Sequence, residues 1–421
     1  MRRPLPWVAG LVCVSAASAG GVYESVPIDN DEWRLIEESK DLEGYFSAQS
    51  LLYTEPKALE LVRRVGHELR PQPADDYVEY EFFVLRDPSP NAFALPNGHV
   101  YVHTGMLARL DDEDQLAALL AHEINHVAGH HGIISHRATR KKTIAGMVLG
   151  GLGGWGAVIS IGLQTSVYGY SRELEQEADD RAIEVLLASR YDPHALPEMF
   201  DILGRDYEGL RPRTPTVWST HPEVRARAET SRALVAGTVP RDRHRDAFEA
   251  AVMDMRAMTI EDYVQDDFPH TAVALAESLV ERYPNDLELL QLLGDAWQGM
   301  GAQGPLDAET LSNADRRQNL RDRARKTRVQ RLAELLETEE GRAAYAANLK
   351  RAEETYQRVI AADPMFAPAY RGLGEVYEQQ KRSRDAAEAY LTYVKQAPEA
   401  PDRSIVVGRL RLLTTLLKVE Q

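Results

Sequence analysis

Asp114-Gln115-Leu116-Ala117-Ala118-Leu119-Leu120-Ala121-His122-Glu123-Ile124-Asn125-His126 is a strong helix former that ends in HExxH. On a helix, residues four apart share a face and lie about 6 Å apart along the axis. Two imidazoles so placed can grip one zinc ion, and the glutamate after the first histidine can reach a water at that metal. Multiplying this chain's His and Glu frequencies gives about a 3% chance of one such match, so the motif alone only suggests a metal site. Two histidines also leave a zinc site one protein ligand short.

Downstream, Gly129 extends the motif to HExxHxxG, a pattern whose third histidine would fall at position 132, which is Gly132. His130 and His131 miss that slot. His130, one turn past His126, reads as a residue beside the ligands or at the surface. His99, His103 and His136 read as ordinary polar positions. A better third ligand is Glu175 in Glu175-Gln176-Glu177-Ala178-Asp179, an amphipathic stretch that follows Ser171. A helix there can present Glu175 to the metal and place Asp179 one turn on. Asp179 can then accept a hydrogen bond from the free ring N–H of a ligand histidine, which orients the imidazole. Glu173 and Glu177 read as a solvated helix face.

Upstream, Glu32 to Leu69 reads as helix with a break before Pro56, closed by Pro71 and Pro73. Tyr77 to Leu85 reads as a strand. Ala92 to Leu95 and His99 to Val102 flank Pro96-Asn97-Gly98, a hairpin or tight-turn signal. The strand from His99 is expected to pair with an extended substrate backbone, a mode that reads main chain and suits unfolded proteins.

The 421 residues allow two or three domains. A net charge of −16 argues against a general nucleic-acid binder. Residues 1–19 read as a secretory signal: Arg2 and Arg3, an apolar run from Leu5 to Ala17, and Ala17-Ser18-Ala19 before Gly20. The only cysteine, Cys13, lies inside it, so a metal site in the mature chain must use histidines and carboxylates. Ile144 to Leu163 is uncharged, apolar and glycine-rich. A gated flap is the favoured reading, and a membrane span with Gly146, Gly150 and Gly154 at GxxxG spacing is the rival.

Beyond residue 245 no strand signal remains. Ala352, Tyr356 and Pro364 recur 34 residues later as Ala386, Tyr390 and Pro398. Tyr370-x-x-Leu373-Gly374-x-x-Tyr377 has a counterpart in Leu290-x-x-Leu293-Gly294-x-x-Trp297. This is the tetratricopeptide pattern and period. The register breaks between Met300 and about Lys350, where Pro284 to Pro364 leaves about 46 residues beyond one repeat. Arg316 to Arg331 is basic there and reads as a solvated helix, with a docking surface for an acidic partner as the sharper alternative.

His122-Glu123-x-x-His126, Glu175-x-x-Ala178-Asp179 and Ser219-Thr220-His221-Pro222, in this order, resemble the HtpX/Ste-type zinc endopeptidase family. With a secretion signal and tetratricopeptide repeats, the chain is similar to the BepA-like periplasmic peptidases. Asn91 to Gly98 also resembles the family's segment ahead of the motif helix. Asn125 departs from it, since many relatives carry a small residue there. The resemblance covers roughly residues 45 to 235. It implies zinc held by His122, His126 and Glu175, with Glu123 as general base. His221 or Arg227 is then the candidate donor to the oxyanion. His221 is alternatively a resting-state ligand of the open zinc position.

The expected fold is α+β and mainly helical. It comprises a zincin-type metallopeptidase domain with a small edge sheet (20–245) and an α-helical tetratricopeptide-repeat domain (246–421) carrying a charged insertion at about 300–350. The expected function is a periplasmic zinc endopeptidase acting on misfolded or misassembled envelope and outer-membrane proteins. Its repeats would recruit substrates or the outer-membrane assembly machinery, and peripheral membrane contact is allowed. The alternatives are a repeat scaffold or chaperone with a largely latent site, or a membrane-embedded peptidase.

Overall fold

A computed structural model of the chain describes residues 25–73, 75–143, 170–209, 223–266, 268–300 and 328–419. The expected signal segment 1–19, the flap 144–163 and His221 lie outside the described residues.

Asp29 and Glu32 form a reciprocal cap at the start of α1 (Asn30–Ala48): Asp29 accepts from the Glu32 amide, and Glu32 accepts from the Asp29 amide at 2.9 Å. The break before Pro56 is present. Proline disfavours helix in the residue before it but suits a first helical turn, and α2 (Pro56–Leu69) starts on it.

Three short strands follow, β1 (Glu81–Leu85), β2 (Ala92–Ala94) and β3 (His99–His103). β2 and β3 form the expected hairpin, antiparallel through a turn in which Gly98 has φ +98°. A Cβ at Gly98 would also lie 2.5 Å from the Glu79 carbonyl oxygen, so glycine is required twice over. β1 pairs in parallel with the other side of β3, giving the order β1-β3-β2. This corrects the expectation for the strand from His99. Both of its edges are taken, so it has no main-chain groups for a substrate. The outer side of β1 is covered too, by bonds from Tyr53 N to Val84 O and Arg86 N to Leu51 O. Among the described residues the open edge is β2. The pairing order of strands is non-local, which is why the hairpin was legible and its central position was not.

Side chains alternate across the sheet. Phe82, Val84, Val100 and Val102 face α2 and the motif helix, while Phe83, Phe93 and Tyr101 meet Leu42 and Phe46 of α1. After α3 (Thr104–Leu107) come α4 (Glu113–Ala128), α5 (His131–Thr143), α6 (Arg172–Ala188), α7 (Ala195–Gly209), α8 (Val224–Val235) and α9 (Arg245–Gln265). α4 is buried along its whole length.

A second core is wholly helical: α10 (Pro269–Arg282), α11 (Leu287–Met300), α12 (Arg328–Glu337), α13 (Glu339–Ala362), α14 (Ala367–Gln379), α15 (Ser383–Gln396) and α16 (Arg403–Val419). One contact recurs in it. A Cβ on Gly294 would lie 2.5 Å from the Tyr356 ring, and one on Gly374 would lie 2.4 Å from the Tyr390 ring. The bare backbone of α11 thus meets a tyrosine of α13, and that of α14 a tyrosine of α15.

α9 belongs to both cores. Phe248, Val252 and Met255 sit in the first, Ile260 and Tyr263 in the second. Arg256, between them and fully buried, donates to the carbonyls of Ala108 (3.3 Å) and Leu110 (2.7 Å) and to the Tyr283 hydroxyl (3.2 Å). Among the described residues no helix is long and apolar enough to cross a membrane.

Candidate metal centre

Asp112 caps α4 by accepting from the Gln115 amide at 3.0 Å, and Glu113 and Asp114 place negative charge at its positive end. The alanines and leucines that follow carry the helix to His122 and His126, which are 3% and 2% exposed. Their Nε2 atoms converge to 3.0 Å. α6, capped by Ser171, brings up Glu175: one carboxylate oxygen lies 3.7 Å from His122 Nε2, the other 3.5 Å from His126 Nε2. A tetrahedral ion with bonds of about 2.1 Å holds its ligand atoms about 3.4 Å apart, so these spacings suit zinc. Two imidazoles and a carboxylate are also the donor set of catalytic zinc sites, which keep a fourth position open. This is the single group of at least three potential metal ligands found among the described residues. Glu123 lies beside His122 on the same helix, 1% exposed.

Asp179 stands where the sequence places it. Its carboxylate is 2.9 Å from His122 Nδ1, so it accepts a hydrogen bond from the ring N–H and leaves the Nε2 lone pair free for a metal. Burial opposes its ionisation, but the charge and hydrogen bonds of Arg227 and the contact with His122 outweigh burial and hold the carboxyl at about 2.

Arg227 departs from its expected role as a donor to the oxyanion. Its Nε and Nη2 donate to the two oxygens of Asp179, each at 2.8 Å, and its Nη1 pairs with Glu175 at 2.6 Å. The guanidinium also packs over the Phe200 ring of α7. The fork geometry that suits a substrate oxyanion suits two carboxylates equally, and these are already in place. Burial works against its charge, yet the two carboxylates raise its pKa above the ordinary value.

His130 faces the segment before β1. Its Nε2 is 3.3 Å from an Asp75 oxygen and its Nδ1 3.3 Å from the Tyr77 hydroxyl. The residues missed in sequence are His131 and Tyr170. His131 Nδ1 lies 2.8 Å from His126 Nδ1, and the Tyr170 ring stacks on His126 with centroids 3.8 Å apart. The glycine after the helix and the tyrosine before the Ser171 cap were the available signals, and neither has a period. Burial, above all, pushes the His131 imidazole down to about 4. Asn125 donates to the Ala121 carbonyl of its own helix at 2.7 Å and takes no ligand's place. Glu177 is solvated, as expected, with its carboxylate 3.7 Å from His131 Nε2. Ala94, Leu95 and Pro96, at the end of the open strand β2, share a small cavity with His126 and Tyr170.

Residues 57–235 match the family model of Peptidase family M48. The chain is 28% identical over 204 residues to the beta-barrel assembly-enhancing protease of Escherichia coli K12, covering 44% of this chain and 42% of that protein. It is 27% identical over 200 residues to the protein of that name from Yersinia pestis, covering 44% and 40%. A third relative is the mitochondrial metalloendopeptidase OMA1 of Schizosaccharomyces pombe, 28% identical over 242 residues, covering 52% of this chain and 69% of that one. The chain thus spans about two fifths of the length of the assembly-enhancing proteases it matches. Residues 57–235 are thus similar in sequence to Peptidase family M48, and within them His122, His126 and Glu175 come together as a candidate metal site.

Proposed function

We propose that the chain is a periplasmic zinc endopeptidase that cleaves misfolded or misassembled outer-membrane proteins. Its C-terminal helices, read as tetratricopeptide repeats, recruit those substrates or the machinery that assembles them. The observation that carries the reading is the convergence of His122, His126 and Glu175 beside the buried carboxylate of Glu123. The relatives' names support the substrate class, and the recurring contacts of Gly294 with Tyr356 and Gly374 with Tyr390 support the repeats. The HtpX/Ste-type kinship rests on the three ordered motifs.

Zinc, when bound, supplies a Lewis acid for the scissile carbonyl and a water of lowered pKa. Glu123 is the general base of that chemistry: it would take a proton from the attacking water and pass it to the leaving amine nitrogen. Asp179 keeps His122 in the tautomer that binds, and Arg227 holds Asp179 and Glu175 in register. The open edge of β2 binds an extended substrate by main-chain hydrogen bonds. His221 is the proposed donor to the oxyanion.

The test compares wild type with Glu123→Gln for zinc content and casein cleavage. Both should hold one zinc per chain, and the variant should cleave about 10²–10⁴-fold more slowly. Equal cleavage by the two would overturn the proposal.

A further inference from the structure

His122 and His126 are held differently. Behind His122 stands a carboxylate, while behind His126 stands another imidazole. That imidazole arrives by an unusual route. α4 ends at Ala128, and His130 adopts the left-handed conformation with φ +54°. A non-glycine residue rarely holds that conformation without anchors. Here the anchors are Asp75 and Tyr77, both in the segment before β1. The reversal folds His131, fully buried, back against His126 with ring centroids 4.9 Å apart.

Gly129 fits the same purpose. Its φ of −83° is open to any residue, so its backbone does not require glycine. Space does: a Cβ there would lie 2.5 Å from His131 Nε2 and 2.8 Å from its Cδ2. The glycine of HExxHxxG is the room for a histidine ring.

We propose that the turn Gly129-His130-His131 is a positioning device for the metal ligand His126, with His131 Nδ1 accepting the His126 Nδ1 proton so that Nε2 faces the metal. The inference rests on the zinc reading above. With the metal on Nε2, the His126 proton must sit on Nδ1. His131 then carries its own proton on Nε2, toward Glu177. Tyr170 closes the other face of His126, so the ring is fixed by one hydrogen bond and one stack.

The experiment measures zinc dissociation constants of the full chain by chelator competition, with the melting temperature of the zinc-free protein as a check on folding. His131→Phe keeps a ring but accepts no hydrogen bond, and its Kd should rise about 10–100-fold with a near-normal zinc-free melting temperature. His131→Gln restores an acceptor and should recover part of that loss. Gly129→Ala leaves His131 in the chain but displaces its ring, and should weaken zinc by a similar factor. In the His131→Phe background, Gly129→Ala should add less than about threefold, because the two changes remove one interaction. Wild type that binds no zinc would sink the metal reading and the turn's role with it. Wild type that binds zinc while the variants keep its Kd, or full additivity of the pair, would sink the turn's role alone.

Discussion

Arg227 at the candidate metal centre and Arg256 at the seam between the two cores are both buried, yet their surroundings differ in kind. Arg227 faces Glu175 and Asp179, and its pKa is raised. Arg256 faces two carbonyls and a tyrosine; burial first, and then the charge of Arg282, lowers its pKa. At the metal centre, a cation is needed because two carboxylates must stay ionised and aimed inside the protein. At the seam, the need is for donors: the chain leaving α3 has bare carbonyls, and the guanidinium is the side chain with enough N–H groups to serve them.

If that contrast is right, removing the two side chains has unequal costs. Arg227→Met strands two buried carboxylates and should cost the zinc-free protein about 3–5 kcal/mol in urea denaturation. A loss below about 1 kcal/mol would mean that the acids find other partners. Arg256→Met leaves neutral carbonyls without donors, so the expected cost is about 2 kcal/mol. Its failure mark is a loss equal to that of Arg227→Met, since the contrast predicts a gap.

The smallest effect extends the comparison to carboxylates. Asp179, beside an arginine, is held at about 2, whereas burial, against the hydrogen bond from Tyr356, pushes Asp295 up to about 6. Asp295 is therefore more easily protonated folded than unfolded. Relative to a neutral residue it costs stability above pH 6, and the cost fades as pH falls from 6 toward its unfolded value near 4. Asp295→Asn should remove this dependence. The urea midpoints of wild type and variant should draw together by about 1–2 kcal/mol in stability between pH 6.5 and 4. A constant difference across that range would count against the raised value.

The motif helix was legible because its logic is local: leucines and alanines form it, and a spacing of four puts His122 and His126 on one face. The same spacing placed Asp179 behind His122 once Glu175 was chosen. His131 was not legible, because its contact depends on one left-handed residue that no periodicity reports. Arg256 hid for another reason: its partners are backbone carbonyls, which leave no side-chain signature. Arg227 lies beside the candidate ligands, but residue type cannot say which of several anions a guanidinium will meet.

The paired glycine–tyrosine contacts also bear on chain entropy. Gly374 and Tyr390 meet across a short turn, while Gly294 and Tyr356 are nearly four times as far apart along the chain. Closing a loop costs roughly 0.6 kcal/mol more for each doubling of its length, so the longer excursion adds only about 1 kcal/mol. That is less than the packing of one tyrosine against bare backbone can offset. In chain entropy alone, lengthening the stretch between Gly294 and Tyr356 is therefore a nearly neutral change.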